Sequence, residues 1–292
     1  MRSWLFVPGD SEKKLAKATH SDADVVILDL EDAVRESAKP QARAMARSWL
    51  VAQASERRGD GAPAHWVRIN AMDSPHWRED LAVVLPAKPA GIMLPKASGP
   101  EQLQQLAAEL YELEERSGIA AGATRILPLV SETPRAALSI ASYADVALPR
   151  LTGLTWGAED LSVAMGASRK RDVAGEWTDA FRMVRAQVLL TAHAAGVAPI
   201  DTLQADFRDL AALERAARAS RADGFHGMLA IHPDQVPVIN AAFTPDEEEL
   251  AHARAIVEAF AADPAAGALQ VDGKMVDRPH LEQARRLLGG AG

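Results

Sequence analysis

The 292-residue sequence predicts an α/β fold, a (β/α)₈ TIM barrel with a short C-terminal helical or lid extension. Eight short apolar runs recur along the chain, separated by Ala/Leu/charged stretches of helical period. Near-continuous apolar runs belong to strands buried on both faces, the condition of a parallel sheet covered by helices. The length suits one barrel of ~250 residues with a tail. Neither GxGxxG nor GxxxxGK[ST] is present, so an open doubly wound sheet would lack its usual phosphate turn.

The runs read as strands are Ser3–Pro8, Asp24–Leu30, His65–Asn70, Gly91–Lys96, Ile126–Ser131, Leu151–Gly157, Ala198–Leu203 and Gly227–Ile231. Each is short and bounded by turn-forming residues. Helical patterns fall between them at Ser11–Thr19, Lys39–Glu56, Pro100–Arg116, Pro134–Tyr143, Trp177–Ala195 and Phe207–Ala222. After the last strand come helices at Asp234–Ala242 and Pro245–Ala262, a glycine-rich stretch Gly267–Asp277, and a closing helix Pro279–Leu288. Residues 1–242 are thus expected to form the barrel, and residues 243–292 a helix and lid extension too small for a separate domain.

Composition narrows the function. A net charge of −8 disfavours nucleic acid and anionic membranes, which call for a basic face. It also means that an anionic substrate must be drawn in by a local cation. The absence of cysteine removes thiol nucleophiles, cysteine-ligated zinc, iron–sulfur clusters and disulfides, and fits a cytoplasmic location. No signal peptide and no apolar run of ~18 residues is visible, so a soluble protein is expected. GxSxG and HExxH are both missing, leaving serine-hydrolase and zincin readings without an anchor.

Polar residues gather where the strands end: Asp29, Glu31 and Asp32; Arg68 and Asn70, two apart and so expected on one face; Lys96; Glu132; Glu159 and Asp160; Asp201; His232. In this fold the carboxyl ends of the strands ring the active-site mouth. Glu132 and Asp160 follow adjacent strands and, with water and substrate oxygens, would suit Mg²⁺ or Mn²⁺. The alternative is that each caps the helix behind it. Arg68, on a buried face, requires an anion: either a substrate carboxylate or a structural pair with Glu31 or Asp29. Lys13, Lys14 and Lys17 would meet the phosphates of a cofactor such as coenzyme A, or form a solvated helix face. His232 is placed for chemistry or for capping, whereas His193, His252 and His280 read as surface or packing residues.

The segments Arg2-Ser3-Trp4-Leu5-Phe6-Val7-Pro8-Gly9 and Val26-Ile27-Leu28-Asp29-Leu30-Glu31-Asp32-Ala33-Val34 resemble the opening of the citrate lyase β-subunit family, CoA-ester lyases of the HpcH/HpaI aldolase superfamily. Val67-Arg68-Ile69-Asn70, Leu94-Pro95-Lys96, Ser131-Glu132-Thr133, Gly157-Ala158-Glu159-Asp160-Leu161, Ile200-Asp201-Thr202 and Ala230-Ile231-His232-Pro233 follow in the family's order. Gly273-Lys274-Met275-Val276-Asp277 resembles its C-terminal signature. The resemblance implies a homotrimer or hexamer, Mg²⁺ on Glu132 and Asp160, the substrate carboxylate on Arg68, and Asp277 acting as acid/base in a neighbouring subunit. Ser131 where isoleucine is common, Pro134-Arg135-Ala136 where a glycine is common, and Phe225-His226-Gly227-Met228 in place of a lysine pairing depart from the pattern and bear on the substrate.

What the resemblance implies chemically is reversible cleavage of malyl-, citramalyl- or citryl-CoA into acetyl-CoA and a 2-oxo acid. Two other readings share the same metal site: an aldolase on free 2-oxo acids without CoA, and a citrate lyase β subunit acting on an acyl carrier protein thioester.

Overall fold

The protein is described from a computed structural model over residues 1–56 and 62–289. It divides into two compact units, Met1–Asn240 and Ala241–Gly292.

The first unit holds eight parallel strands: β1 (Ser3–Pro8), β2 (Val25–Asp29), β3 (Ala64–Arg68), β4 (Gly91–Leu94), β5 (Arg125–Pro128), β6 (Gly153–Thr155), β7 (Ala198–Asp201) and β8 (Gly227–Ala230). They pair in the order β5-β4-β3-β2-β1-β8-β7-β6. The seam between β5 and β6 is closed by bridges Ile126↔Leu151 and Leu129↔Thr155, where Val130 N donates to Thr155 O at 3.0 Å. Every gap between strands carries helix: α1 (Glu12–Ala18), α2 (Lys39–Glu56), α3 (Trp77–Val84), α4 (Pro100–Arg116), α5 (Pro134–Ser139), α6 (Ala158–Ala164), α7 (Asp179–Ala194) and α8 (Leu210–Asp223), with α9 (Gln235–Phe243) after β8. This is the (β/α)₈ barrel that the sequence predicts.

Alternate strand positions fill the barrel's interior: Trp4, Val25, Ile27, Trp66, Met93, Leu127, Ile200 and Leu229 form one cluster. The rings of Trp4 and Trp66 meet edge to face at 5.2 Å. Room for Trp66 comes from Gly91, where a Cβ would lie 2.4 Å from the indole. One pleat further along β2 and β3, the inward positions are no longer apolar. They are Asp29 and Arg68, cross-strand partners in the register. The floor of the mouth is therefore charged because the apolar alternation stops there.

Apart from β1, which ends with its run at Pro8, the strands end one to three residues before the apolar runs do. Leu129, Val130 and Ser131 stay buried beyond the last residue of β5, so hydrophobicity overstates strand length. The short helices α3 and α6 stand outside the helical patterns singled out from the sequence. Among the described residues, no helix is long and apolar enough to cross a membrane.

The second unit contains α10 (Glu247–Ala262), β9 (Ala268–Val271), β10 (Lys274–Asp277) and α11 (Arg278–Gly289). Asp246 and Glu249 form a reciprocal capping box on α10, with bonds of 2.8 and 2.9 Å. The glycine-rich stretch is a β-hairpin, β9 antiparallel to β10. Asp272 and Gly273 at its tip both have positive φ, 50° and 76°, as a primed hairpin turn requires. Ile256, Phe260, Val271, Val276 and Leu281 make the unit's own core.

Candidate active site

Arg68 is held in a fork. Nε donates to Asp29 Oδ1 at 2.7 Å and Nη2 to Asp29 Oδ2 at 2.6 Å. Nη1 lies 3.2 Å from Glu31 Oε2, and the guanidinium sits 4.7 Å above the Phe6 ring. The structural partners foreseen for Arg68 are thus both present. Burial alone would lower its pKa, but Asp29 outweighs that and raises it, so the guanidinium stays charged. Of the side chain, 12 % stays accessible, and Arg68 lines the cavity beside it.

Lys96 joins this cluster to the next. Its ammonium pairs with Glu31 Oε1 and lies 3.3 Å from Asp32 Oδ1. Its backbone is left-handed (φ 50°), uncommon for a residue with a Cβ, and its N–H donates to Glu132 Oε2. Glu132 is buried. Burial, with the negative charges of Asp160 and Glu31, pushes its carboxyl up to about 8 against the downward pull of the Lys96 N–H and Arg68.

Neither carboxylate of this pair serves as a helix cap. Thr133 caps α5, its hydroxyl accepting from Ala136 N at 3.2 Å, and the N-cap of α6 is Gly157. Asp160 lies partly buried in the first turn of α6. Gly157 makes room for Glu132: a Cβ there would be 3.1 Å from Glu132 Cγ. A buried carboxyl whose pKa is raised, with the charge of a second carboxylate close by, is the donor set of a hard divalent cation, whose charge would restore ionisation. No group of three or more His, Asp or Glu poised for a metal occurs among the described residues, so water and substrate would supply the remaining oxygens.

A cavity of about 810 Å³ opens beside Arg68. Lys14 and Lys17, one turn apart on α1, line it, as do Phe6, Leu203, Phe207 and His232. Lys13 is not part of its wall. His232 stacks on Phe207 with ring centroids 4.7 Å apart, so it forms the cavity wall.

Two sequence expectations are corrected. Asn70 is not directed with Arg68 at the mouth: it lies two residues beyond the end of β3, and its side chain bonds Asp80 of α3 and Lys39 of α2. Asp201 does not face the mouth. It follows Ile200 of the interior and so points outward, where Trp156 Nε1 (2.7 Å), Ser220 Oγ (2.6 Å) and Arg185 Nε (2.9 Å) satisfy it. The three histidines read as surface or packing residues each have a polar partner: Gly224 O for His193, Asp272 for His252 and Asp277 for His280. In the second unit Asp277 ends β10, its Oδ1 2.5 Å from His280 Nδ1, which lowers the carboxyl's pKa. Lys39 and Asp80 are parts of the network that the sequence did not mark; Asp29, expected as a partner of Arg68, is its cross-strand neighbour in the register.

The HpcH/HpaI aldolase/citrate lyase family model matches residues 2–233. A citrate lyase subunit beta-like protein of Mycobacterium tuberculosis is 37 % identical over 289 residues, 99 % of this chain and 95 % of that protein. The mitochondrial citramalyl-CoA lyase of Rattus norvegicus is 32 % identical over 98 % of this chain and 85 % of its own. Among solved structures, CitE from Mycobacterium tuberculosis in complex with magnesium, acetoacetate and coenzyme A superposes with a TM-score of 0.78 at 36 % identity, covering 100 % of this chain and 98 % of that one.

Proposed function

The chain belongs to the HpcH/HpaI aldolase/citrate lyase family and is a carbon–carbon lyase, and from that premise we propose that it reversibly cleaves a 3-hydroxyacyl-CoA to acetyl-CoA and a 2-oxo acid. Its substrate carries a carboxylate on the hydroxyl-bearing carbon, as malyl-, citramalyl- and citryl-CoA do. One observation carries the reading: a carboxylate pair, buried Glu132 with half-buried Asp160, beside a forked arginine at the edge of a cavity with two lysines on its wall.

Glu132 and Asp160 hold Mg²⁺, a role supported by the magnesium in the related complex. When bound, the ion supplies Lewis-acid stabilisation of charge on the substrate's oxygens. Arg68, already oriented by Asp29 and Glu31, pairs with the substrate carboxylate through its remaining N–H groups. Lys14 and Lys17 meet the phosphates of the CoA moiety in the 810 Å³ cavity. In the cleavage direction the hydroxyl gives up its proton to solvent, the C–OH carbon becomes the carbonyl of the 2-oxo acid, and the C–C electron pair passes to the α-carbon of the thioester as its enolate. Asp277 of a neighbouring subunit gives a proton to that α-carbon, forming acetyl-CoA, and removes it in the condensation direction.

The test is cleavage of malyl-, citramalyl- and citryl-CoA, with the free hydroxy acids alongside, following release of the 2-oxo acid. Release from one thioester and none from its free acid is expected. Turnover of a free acid alone would replace this reading by an aldolase, and turnover only of a carrier-protein thioester by a citrate lyase subunit.

A further inference from the structure

Lys39 is buried, 7 % exposed, in the first turn of α2. Both placements disfavour an ammonium group: burial strips its water, and the positive end of the helix dipole repels it. Its hydrogen bonds point to a reason other than packing. Nζ donates to the carbonyl oxygens of Leu30 (3.1 Å) and Glu31 (3.2 Å), and to Asn70 Oδ1. Those carbonyls lie in the turn that joins Asp29, which forks Arg68, to Glu31, which meets Arg68 Nη1. Asn70 is itself fixed, its N and Nδ2 donating to Asp80 Oδ2 at 2.8 and 2.7 Å. Arg43 Nε then donates to Asp80 Oδ1 at 2.6 Å. A buried polar chain thus runs from α2 and α3 to the peptide that aims both of Arg68's carboxylates.

We propose that Lys39 is a positioning residue for the Arg68 anion site. It acts through the Leu30–Glu31 peptide to keep Asp29 and Glu31 in register with the guanidinium, and so sets affinity for the carboxylate of the 2-oxo acid. This rests on the reading of Arg68 given above. A lysine that merely saturated buried carbonyls would affect stability and leave ligand discrimination untouched.

The test is calorimetric titration, in Mg²⁺, of glyoxylate, pyruvate and oxaloacetate, and separately of coenzyme A, into wild-type protein, Lys39→Met, Lys39→Arg, Asn70→Ser and Arg68→Lys. Lys39→Met should weaken 2-oxo acid binding about tenfold and coenzyme A binding by less than about twofold, with Lys39→Arg recovering part of the loss. Asn70→Ser should show the same pattern at smaller size, and it decides the matter if Lys39→Met does not fold. Unchanged 2-oxo acid affinity in the folded variants, or equal loss of both ligands, overturns the proposal. If Arg68→Lys binds the 2-oxo acid as tightly as wild type, the reading beneath falls and this inference with it. Loss in Arg68→Lys alone leaves that reading standing and removes Lys39.

Discussion

Glu132 stands where two physical demands meet. The barrel wall buries it, and Asp160 and Glu31 add negative charge, so in the metal-free protein its carboxyl is raised to about 8. A cation reverses that balance. The closeness of Gly157 makes the position sensitive to one methyl group, since a Cβ would press on Glu132 Cγ from 3.1 Å. Gly157→Ala is expected to weaken Mg²⁺ binding and lower kcat by roughly tenfold to a hundredfold while the protein stays folded, because small misplacements of a catalytic group cost that much. Mg²⁺ titration and steady-state kinetics on the variant check it. Asp29 has a comparable part at the arginine: Asp29→Asn keeps the shape but removes the charge that raises the Arg68 pKa, and KM for the 2-oxo acid should rise more than KM for acetyl-CoA.

At the scale of elements, the ion pair that ties α4 to the turn before β6 is expected to shape the acid limb of stability. Glu114, wholly buried near the end of α4, takes Arg150 Nη1 and Nη2 at 2.8 and 2.7 Å and the backbone N–H of Thr124 and Gly122 at 2.8 and 2.9 Å. Burial by itself would raise its pKa, but these donors outweigh it and bring the carboxyl to about 2. The stabilisation is therefore fully present above the ordinary glutamate pKa of ~4.3 and is lost as pH falls toward about 2. Glu114→Gln should cost about 3–5 kcal/mol at pH 7 and flatten the acid limb of stability, as chemical denaturation at several pH values will read. Gly91→Ala should cost about 1–3 kcal/mol by overpacking Trp66, measured the same way. The strands and long helices were legible because their hydrophobic period was uninterrupted. The hairpin at Asp272-Gly273 carried a turn signal, but Met275 and Gln270 are exposed, and an element with so little buried surface leaves a weak alternation. The carboxylates of the proposed metal site, Glu132 and Asp160, were legible as charges at strand ends. Asp201 misled because its parity is outward, and Lys39 was invisible because nothing in sequence marks which lysine of a helix is buried.

For the whole molecule, the family places the fold and the reaction class, and the role proposed for Asp277 would tie activity to assembly. The resemblance implies a trimer or hexamer in which each active site borrows Asp277 from a neighbour. Asp277→Asn and Arg68→Ala should each be nearly inactive alone. Mixed under conditions that exchange subunits, they should recover part of the activity, because some sites then combine an intact Arg68 with an intact Asp277. Activity assays after exchange confirmed by mass spectrometry check this, and no recovery would make Asp277 either a residue of its own subunit's site or no part of one.

The central claim is that Glu132 and Asp160 form a metal centre that drives cleavage of a CoA thioester. Its most direct test is the rate of 2-oxo acid release from malyl-, citramalyl- or citryl-CoA, measured in Mg²⁺ and in EDTA for wild-type protein and Glu132→Ala. Release that EDTA stops, Mg²⁺ restores and folded Glu132→Ala lacks is the expected result. Release that survives in EDTA or in Glu132→Ala would contradict it.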